Sequence, residues 1–154
     1  MENVLIKIIK DGNLFASKAD AWINTVNCMG VSGCGIALIF KNMFPVYYDE
    51  YRLLCFNNKV HTGNMLLYDN NEKPKYIISF PTKDDWRNDS EYSYISEGLK
   101  DLKKIIIEND IQSIAIPALG CKNGNLEWSK VLPMIIRELG DLTIDIELYE
   151  PLEN

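Results

Sequence analysis

The chain has 154 residues, 47% apolar and 25% charged, the proportions of one ordinary globular domain with a single core. No apolar run reaches the roughly 18 residues of a membrane span, and MENVLIKIIKDGN offers no basic segment followed by a long apolar one, so a cytoplasmic location is expected. A net charge of −6 argues against a long, sequence-independent grip on a nucleic-acid backbone, which runs on lysine and arginine, but permits action on one nucleotide at a time.

In chain order, NVLIKIIK alternates Val4, Ile6 and Ile8 and predicts a strand. DGNLF is turn chemistry, with Asp11 and Gly12 ahead of Asn13. DAWINTV is short and apolar on both faces, as a buried strand should be. After Gly35, IALIFKNMF reads as a buried helix stopped before Pro45. PVYYDEYRLLCF resumes as a helix with Pro45 in its first turn and Tyr47, Tyr51 and Leu54 on one face. NMLLYD and KYIISF predict two strands joined by the turn NNEKP. From Tyr92 to Asn109, Ile95, Leu99, Leu102 and Ile106 recur at helical spacing. SIAIPAL is the next buried strand, GCKNGN a loop, and Leu126 to Leu139 a helix that Pro133 should kink or start later. Gly140 suits the residue after a helix end, and TIDIELYE alternates as a final strand. There is no repeat, low-complexity tract or linker, so residues 1–154 are expected to form one α/β layered domain with a largely parallel or mixed sheet.

Ligands of such sheets sit at the carboxyl ends of strands, where loops turn into helices. Two of these junctions are rich in glycine: NTVNCMGVSGCGIA, with Gly30, Gly33 and Gly35, and LGCKNGNLEW, with Gly120 and Gly124. Glycine lets backbone N–H groups approach a ligand closely, and a helix N-terminus adds partial positive charge. Together they predict two anion cradles on one sheet edge, suited to a diphosphate lying between them. The order G-x-x-G-x-G is not the dinucleotide fingerprint, and no G-K-[ST] follows for a P-loop. A lone glycine loop is also what a ligand-free tight turn looks like; two at equivalent junctions favour the ligand. Asn24 and Asn27 either satisfy buried backbone or, as carboxamides, bond ribose hydroxyls. Diphosphate plus ribose without a triphosphate grip points to ADP-ribose.

The set GNLF, INTVNCMGVSGCGIA, ISFPTKDDWR and IAIPALGCKNGNLEW resembles the macrodomain family over nearly the whole chain. Within that family it is most similar to the branch that removes ADP-ribose from DNA as an antitoxin, and to relatives acting on protein glutamate. The resemblance implies a three-layer α/β/α sandwich with a mixed sheet, and ADP-ribose with its diphosphate between the glycine loops. It places Asn27 beside the distal ribose, and Gly33, Cys34, Gly35 and Ile36 along the first phosphate loop. Gly120, Cys121, Lys122, Asn123 and Gly124 match the second loop, and Lys83 matches the lysine on which hydrolysis depends. Trp86 falls where a ring stacks on a base or ribose, and Leu14, Thr25, Pro81, Thr82 and Leu119 complete the ligand-binding set. Two departures stand out. Asn13 replaces the aspartate that commonly holds the adenine amino group, and Gly124 replaces the second-loop aspartate of the protein-glutamate hydrolases. The second departure tilts the expectation towards single-stranded DNA, with removal from thymine. The runners-up are a non-catalytic ADP-ribose reader and a hydrolase of protein-linked ADP-ribose or O-acetyl-ADP-ribose. A cognate ADP-ribosyltransferase toxin is an implied partner, with no cofactor and a monomeric chain.

A lysine can attack the anomeric carbon through a Schiff-base-like adduct, or act as a cation that protonates or stabilises the departing base. Asp84 and Asp85 follow Lys83 directly and, unless they point away, favour the cation. By spacing alone, a lysine in TKDDWR reads as a solvated surface residue; the family match reverses that. The other candidates take plainer readings. His61 belongs to a turn, and Trp22, Trp128 and the YYDEY tyrosines pack. Cys28, Cys34, Cys55 and Cys121 form no CxxC and have one histidine among them, so a zinc site and a nucleophilic thiol are not expected.

Overall fold

The structure, a computed structural model, describes residues 5–152. Its centre is a six-stranded sheet built from β1 (Ile6–Ile9), β2 (Ala21–Asn27), β3 (Leu66–Asp69), β4 (Tyr76–Lys83), β5 (Ser113–Ile116) and β6 (Asp145–Tyr149), in the order β1-β6-β5-β2-β4-β3. The β3–β4 pair is antiparallel and every other pair is parallel, so the sheet is mixed. Helices α1 (Gly35–Met43) and α2 (Pro45–Phe56) cover one face; α3 (Tyr92–Glu108) and α4 (Trp128–Leu139) cover the other.

Alternation along the central strands sorts the core between these layers. Ile23 and Ile78 join Ile95, Leu99, Leu102 and Ile106 of α3 and Val131, Ile135 and Leu139 of α4. Their neighbours Trp22 and Ile77 point the other way, to Phe40 of α1 and Tyr47 of α2. Both faces are covered, which is why β2 and β4 read as continuous apolar runs rather than alternating ones. Tyr47 and Tyr51 are buried, and their hydroxyls are paired: Asn24 Nδ2 donates to Tyr47 Oη at 2.9 Å, and Tyr51 Oη donates to the Asn27 carbonyl at 2.6 Å. Asn24 is thus buried beneath α2 and bonds a tyrosine hydroxyl, not the backbone that the first of its two readings supposed.

Several expectations shift. Ile8 is 47% exposed, because β1 is an edge strand that pairs only with β6; Ile6 and Ile9 pack instead, one on each face. Val4 lies outside the described residues. Helix α1 is not buried throughout: Phe40 is enclosed, while Ile39 and Met43 stand open. Strand β4 runs on through Pro81 to Lys83. β3 ends its pairing opposite Ser79, so Pro81 has only β2 beside it. α4 begins at Trp128, two residues later than expected, and contains Pro133 on its exposed side, where solvent faces the freed carbonyl. Gly140 is the cap residue itself, with φ −68°, not a left-handed residue beyond it.

Candidate functional site

The carboxyl ends of β1, β6, β5, β2 and β4 share one edge of the sheet, and a cleft of about 1050 Å³ opens along it. The chain leaves β2 towards α1 on one face and β5 towards α4 on the other, so the cleft is a topological switch point. Of the residues named from sequence, Asn13, Leu14, Thr25, Asn27, Gly33, Cys34, Gly35, Ile36, Thr82, Lys83, Trp86, Gly120, Cys121, Lys122, Asn123 and Gly124 all line it. Pro81 and Leu119 do not. Pro81 is enclosed within β4, and Leu119, 0% exposed, points down into the core beneath α3 and α4.

The first glycine loop opens onto the cleft. Gly33, Cys34 and Gly35 are exposed to the cleft, and α1 starts at Gly35 with no side chain capping its first turn. The N–H groups of that turn have no partner within the helix and remain available to an anion. Gly35, with φ +60°, turns the backbone into position. Asn27 secures the loop from below. Its Oδ1 accepts from Met29 N at 3.0 Å and Val31 N at 3.2 Å, and its Nδ2 donates to the Val31 carbonyl at 2.7 Å. The backbone-satisfying reading of Asn27 therefore holds here, at a residue that also borders the cleft.

The second loop departs from expectation. It does not lead directly into a helix: Asn125 takes φ +62°, Leu126 N bonds back to the Gly120 carbonyl at 2.9 Å, and α4 starts only after its cap residue Glu127. The loop therefore presents backbone to the cleft without a helix terminus behind it. The two loops touch, with Asn123 Nδ2 3.4 Å from Cys34 Sγ. Gly124 is packed against Ser90, and a Cβ added there would lie 2.8 Å from Ser90 Cβ, closer than packed atoms stand. A side chain at this position would have to displace Ser90. Gly124→Asp is expected to lower unfolding stability by about 1–3 kcal/mol, the usual cost of overpacking, read as a lower urea midpoint. An unchanged midpoint would show that the loop makes room.

Lys83 stands at the other end of the cleft, on the last residue of β4, and its Nζ donates to the Trp86 carbonyl at 3.2 Å. The neighbouring carboxylates have other partners. Asp85 is engaged by the Arg87 guanidinium at 2.6 Å, which holds its carboxyl down at about 2, and Asp84 lies against Cys28. Trp86 is 49% exposed, with the Arg87 guanidinium 5.9 Å from its ring centre. Burial pushes the Cys28 thiol up to about 11, with Asp84 adding to it, and burial alone does the same for Cys121. Both stay protonated at neutral pH.

At the far end, Asn13 caps a single 3-10 turn, Leu14–Ala16, its Oδ1 accepting from Phe15 N at 3.0 Å. The side-chain acceptor foreseen for a base is thus used by the turn. Phe15, Tyr149, Glu150, Pro151 and Leu152 also line this end and were not foreseen. A signal existed, since β6 is parallel and its carboxyl end had to lie on the ligand edge. His61 is exposed in a turn, its carbonyl accepting from Asn64 N at 3.2 Å. Among the described residues no group of at least three His, Cys, Asp or Glu side chains could hold a metal ion, and no helix is long and apolar enough to cross a membrane.

A mixed sheet between two helical layers, with two glycine loops across its switch point, defines an α/β/α domain with a cleft at the carboxyl ends of its parallel strands. The chain belongs to the macro domain family, whose model matches residues 23–135. It is 43% identical over 146 residues to a Thermus aquaticus protein named DNA ADP-ribosyl glycohydrolase, covering 93% of this chain but only 41% of that relative's length. The solved macrodomain of Mycobacterium tuberculosis DarG superposes with a TM-score of 0.91 at 39% identity, over 95% of this chain and 99% of that one. Thermosipho africanus DarTG in complex with ADP-ribose gives a TM-score of 0.92 at 32% identity, over 99% of this chain and 43% of that one.

Proposed function

We propose that this macrodomain binds ADP-ribose along the cleft and hydrolyses its link to DNA, with thymine in single-stranded DNA as the modified base. The diphosphate lies between the Gly33–Gly35 and Gly120–Gly124 loops, and the adenosine lies towards Asn13, Leu14 and Phe15. The distal ribose lies beside Asn27, Thr82 and Lys83. In the reaction the glycosidic bond from the anomeric carbon to the base nitrogen breaks; water supplies the hydroxyl to that carbon and a proton goes to the base. Lys83 serves either as the first nucleophile, its adduct then released by water, or as the cation that protonates the departing nitrogen. Trp86 stands beside it as a stacking surface for the base.

The observation that carries this reading is the position of Lys83 in the same cleft as both phosphate loops. The named activity of the Thermus relative and the ADP-ribose held by the Thermosipho neighbour support substrate and ligand. Gly124 favours DNA over protein glutamate, since the space beside Ser90 admits no carboxylate. A cytoplasmic monomer opposing an ADP-ribosyltransferase toxin is the setting that fits. The test is to incubate the protein with an ADP-ribosylated single-stranded DNA oligonucleotide and an ADP-ribosylated protein side by side. Label is expected to leave the DNA. Loss from the protein alone would transfer the activity to the other hydrolase class, and tight ADP-ribose binding without turnover of either would make the chain a reader.

A further inference from the structure

Lysine carries its charge on a long flexible stem, so its working position depends on what holds the ammonium. For Lys83 the recorded partner is the Trp86 carbonyl, 3.2 Å away, on the segment 84–90 that leads from β4 to α3. That segment is folded on itself: Asn88 N donates to the Asp85 carbonyl at 3.0 Å, and the Asp85 carboxylate accepts from Arg87 N at 2.9 Å. At its far end it is fastened to the second glycine loop. Ser90 N donates to the Gly124 carbonyl at 3.0 Å, and Asp89 Oδ1 accepts from Asn125 Nδ2 at 2.7 Å. Ser90 is 5% exposed, and its side chain packs against Gly124. Asn125, at φ +62°, is held in the left-handed region with its carboxamide directed at Asp89.

We propose that Asp89, through Asn125, positions Lys83. Asp89 does not line the cleft and touches no ligand site; it ties the segment bearing the lysine's acceptor to the loop proposed to hold the diphosphate. The distance between diphosphate and lysine is thereby fixed, which is what a reaction at the ribose joined to that diphosphate requires. This inference rests on the role of Lys83 proposed above.

The test uses thymine-linked ADP-ribose on an oligonucleotide and compares wild type, Asp89→Ala, Asp89→Asn, Asn125→Gly, the Asp89→Ala/Asn125→Gly double variant and Lys83→Ala. Glycine is chosen at 125 because it accepts the positive φ without strain. Asp89→Ala is expected to lower kcat on the order of tenfold, the scale of a small misplacement of a reacting group. KM, ADP-ribose affinity and Tm should stay near wild type. Asp89→Asn keeps an acceptor for Asn125 Nδ2 and should restore kcat. The double variant should lose no more than either single one, since both remove the same bond. An active Asp89→Ala beside an inactive Lys83→Ala overturns this inference and leaves the function standing. Parallel losses of kcat, affinity and Tm overturn it as well, since they mark general loosening. A fully active Lys83→Ala, or a wild type without turnover, removes the functional reading itself.

Discussion

Lys83→Ala is expected to lower turnover of thymine-linked ADP-ribose roughly a hundredfold or more, the usual loss when a positioned acid–base or nucleophilic group is removed. ADP-ribose affinity should stay within a few-fold, because the phosphate grip comes from backbone N–H groups of the glycine loops, away from the Lys83 end of the cleft. Stability should hold too: among the described residues Lys83 forms no salt bridge, and its hydrogen bond to the Trp86 carbonyl is solvent-exposed. The measurement is single-turnover release of label, with calorimetric binding of ADP-ribose on the same preparation. Lys83→Arg then separates the two chemistries. Guanidinium keeps the charge and cannot lose its proton to become a nucleophile. Substantial activity in the arginine variant means that the charge is what matters and excludes the Schiff-base route. Wild-type turnover in Lys83→Ala would sink the catalytic assignment.

Gly33→Val should abolish measurable ADP-ribose binding while leaving the fold intact. A Cβ at Gly33 meets nothing within 4 Å, and the residue lies in an exposed part of the loop, so the branched side chain enters the cleft without a clash in the protein. Any phosphate seated on the loop is displaced by that side chain. Each charge-assisted hydrogen bond so broken costs about 1.5–3 kcal/mol, and two of them reduce affinity on the order of a hundredfold or more. Calorimetry with ADP-ribose measures the loss, and a thermal melt unchanged from wild type shows that it is local. Gly120→Val cannot make the same point. Gly120 sits at φ +71° with Leu126 Cδ1 2.7 Å from any added Cβ, so that variant is destabilised before a ligand is considered. Retained affinity in Gly33→Val would move the diphosphate elsewhere in the cleft.

The element order and the location of the site were legible in the sequence because they depend on local signals. Apolar runs in AWINTV and YIISF declared buried strands, and the Ile95, Leu99, Leu102 and Ile106 spacing declared the face of α3. Two glycine loops at strand ends placed the ligand edge, since strand ends followed by helices fall on one side of a parallel sheet. The matched motifs put Lys83, Asn27 and Trp86 in the same cleft, and they are there.

What the sequence could not decide was how each side chain spends its bonds, because that depends on neighbours distant along the chain. That Asn27 fastens the first glycine loop through Val31 and accepts Tyr51 on its carbonyl, while also bordering the cleft, shows only in the folded chain. Asp84 and Asp85 looked like partners of Lys83 by adjacency, yet Arg87 and Cys28 claim them, because successive residues beyond a strand end need not face the same way. Leu119 sits between the strand and the glycine loop, and only packing under α3 and α4 shows that it points inward. The absent carboxylate at 124 was plain in the sequence. That a side chain there would meet Ser90, more than thirty residues away, shows only in the folded chain.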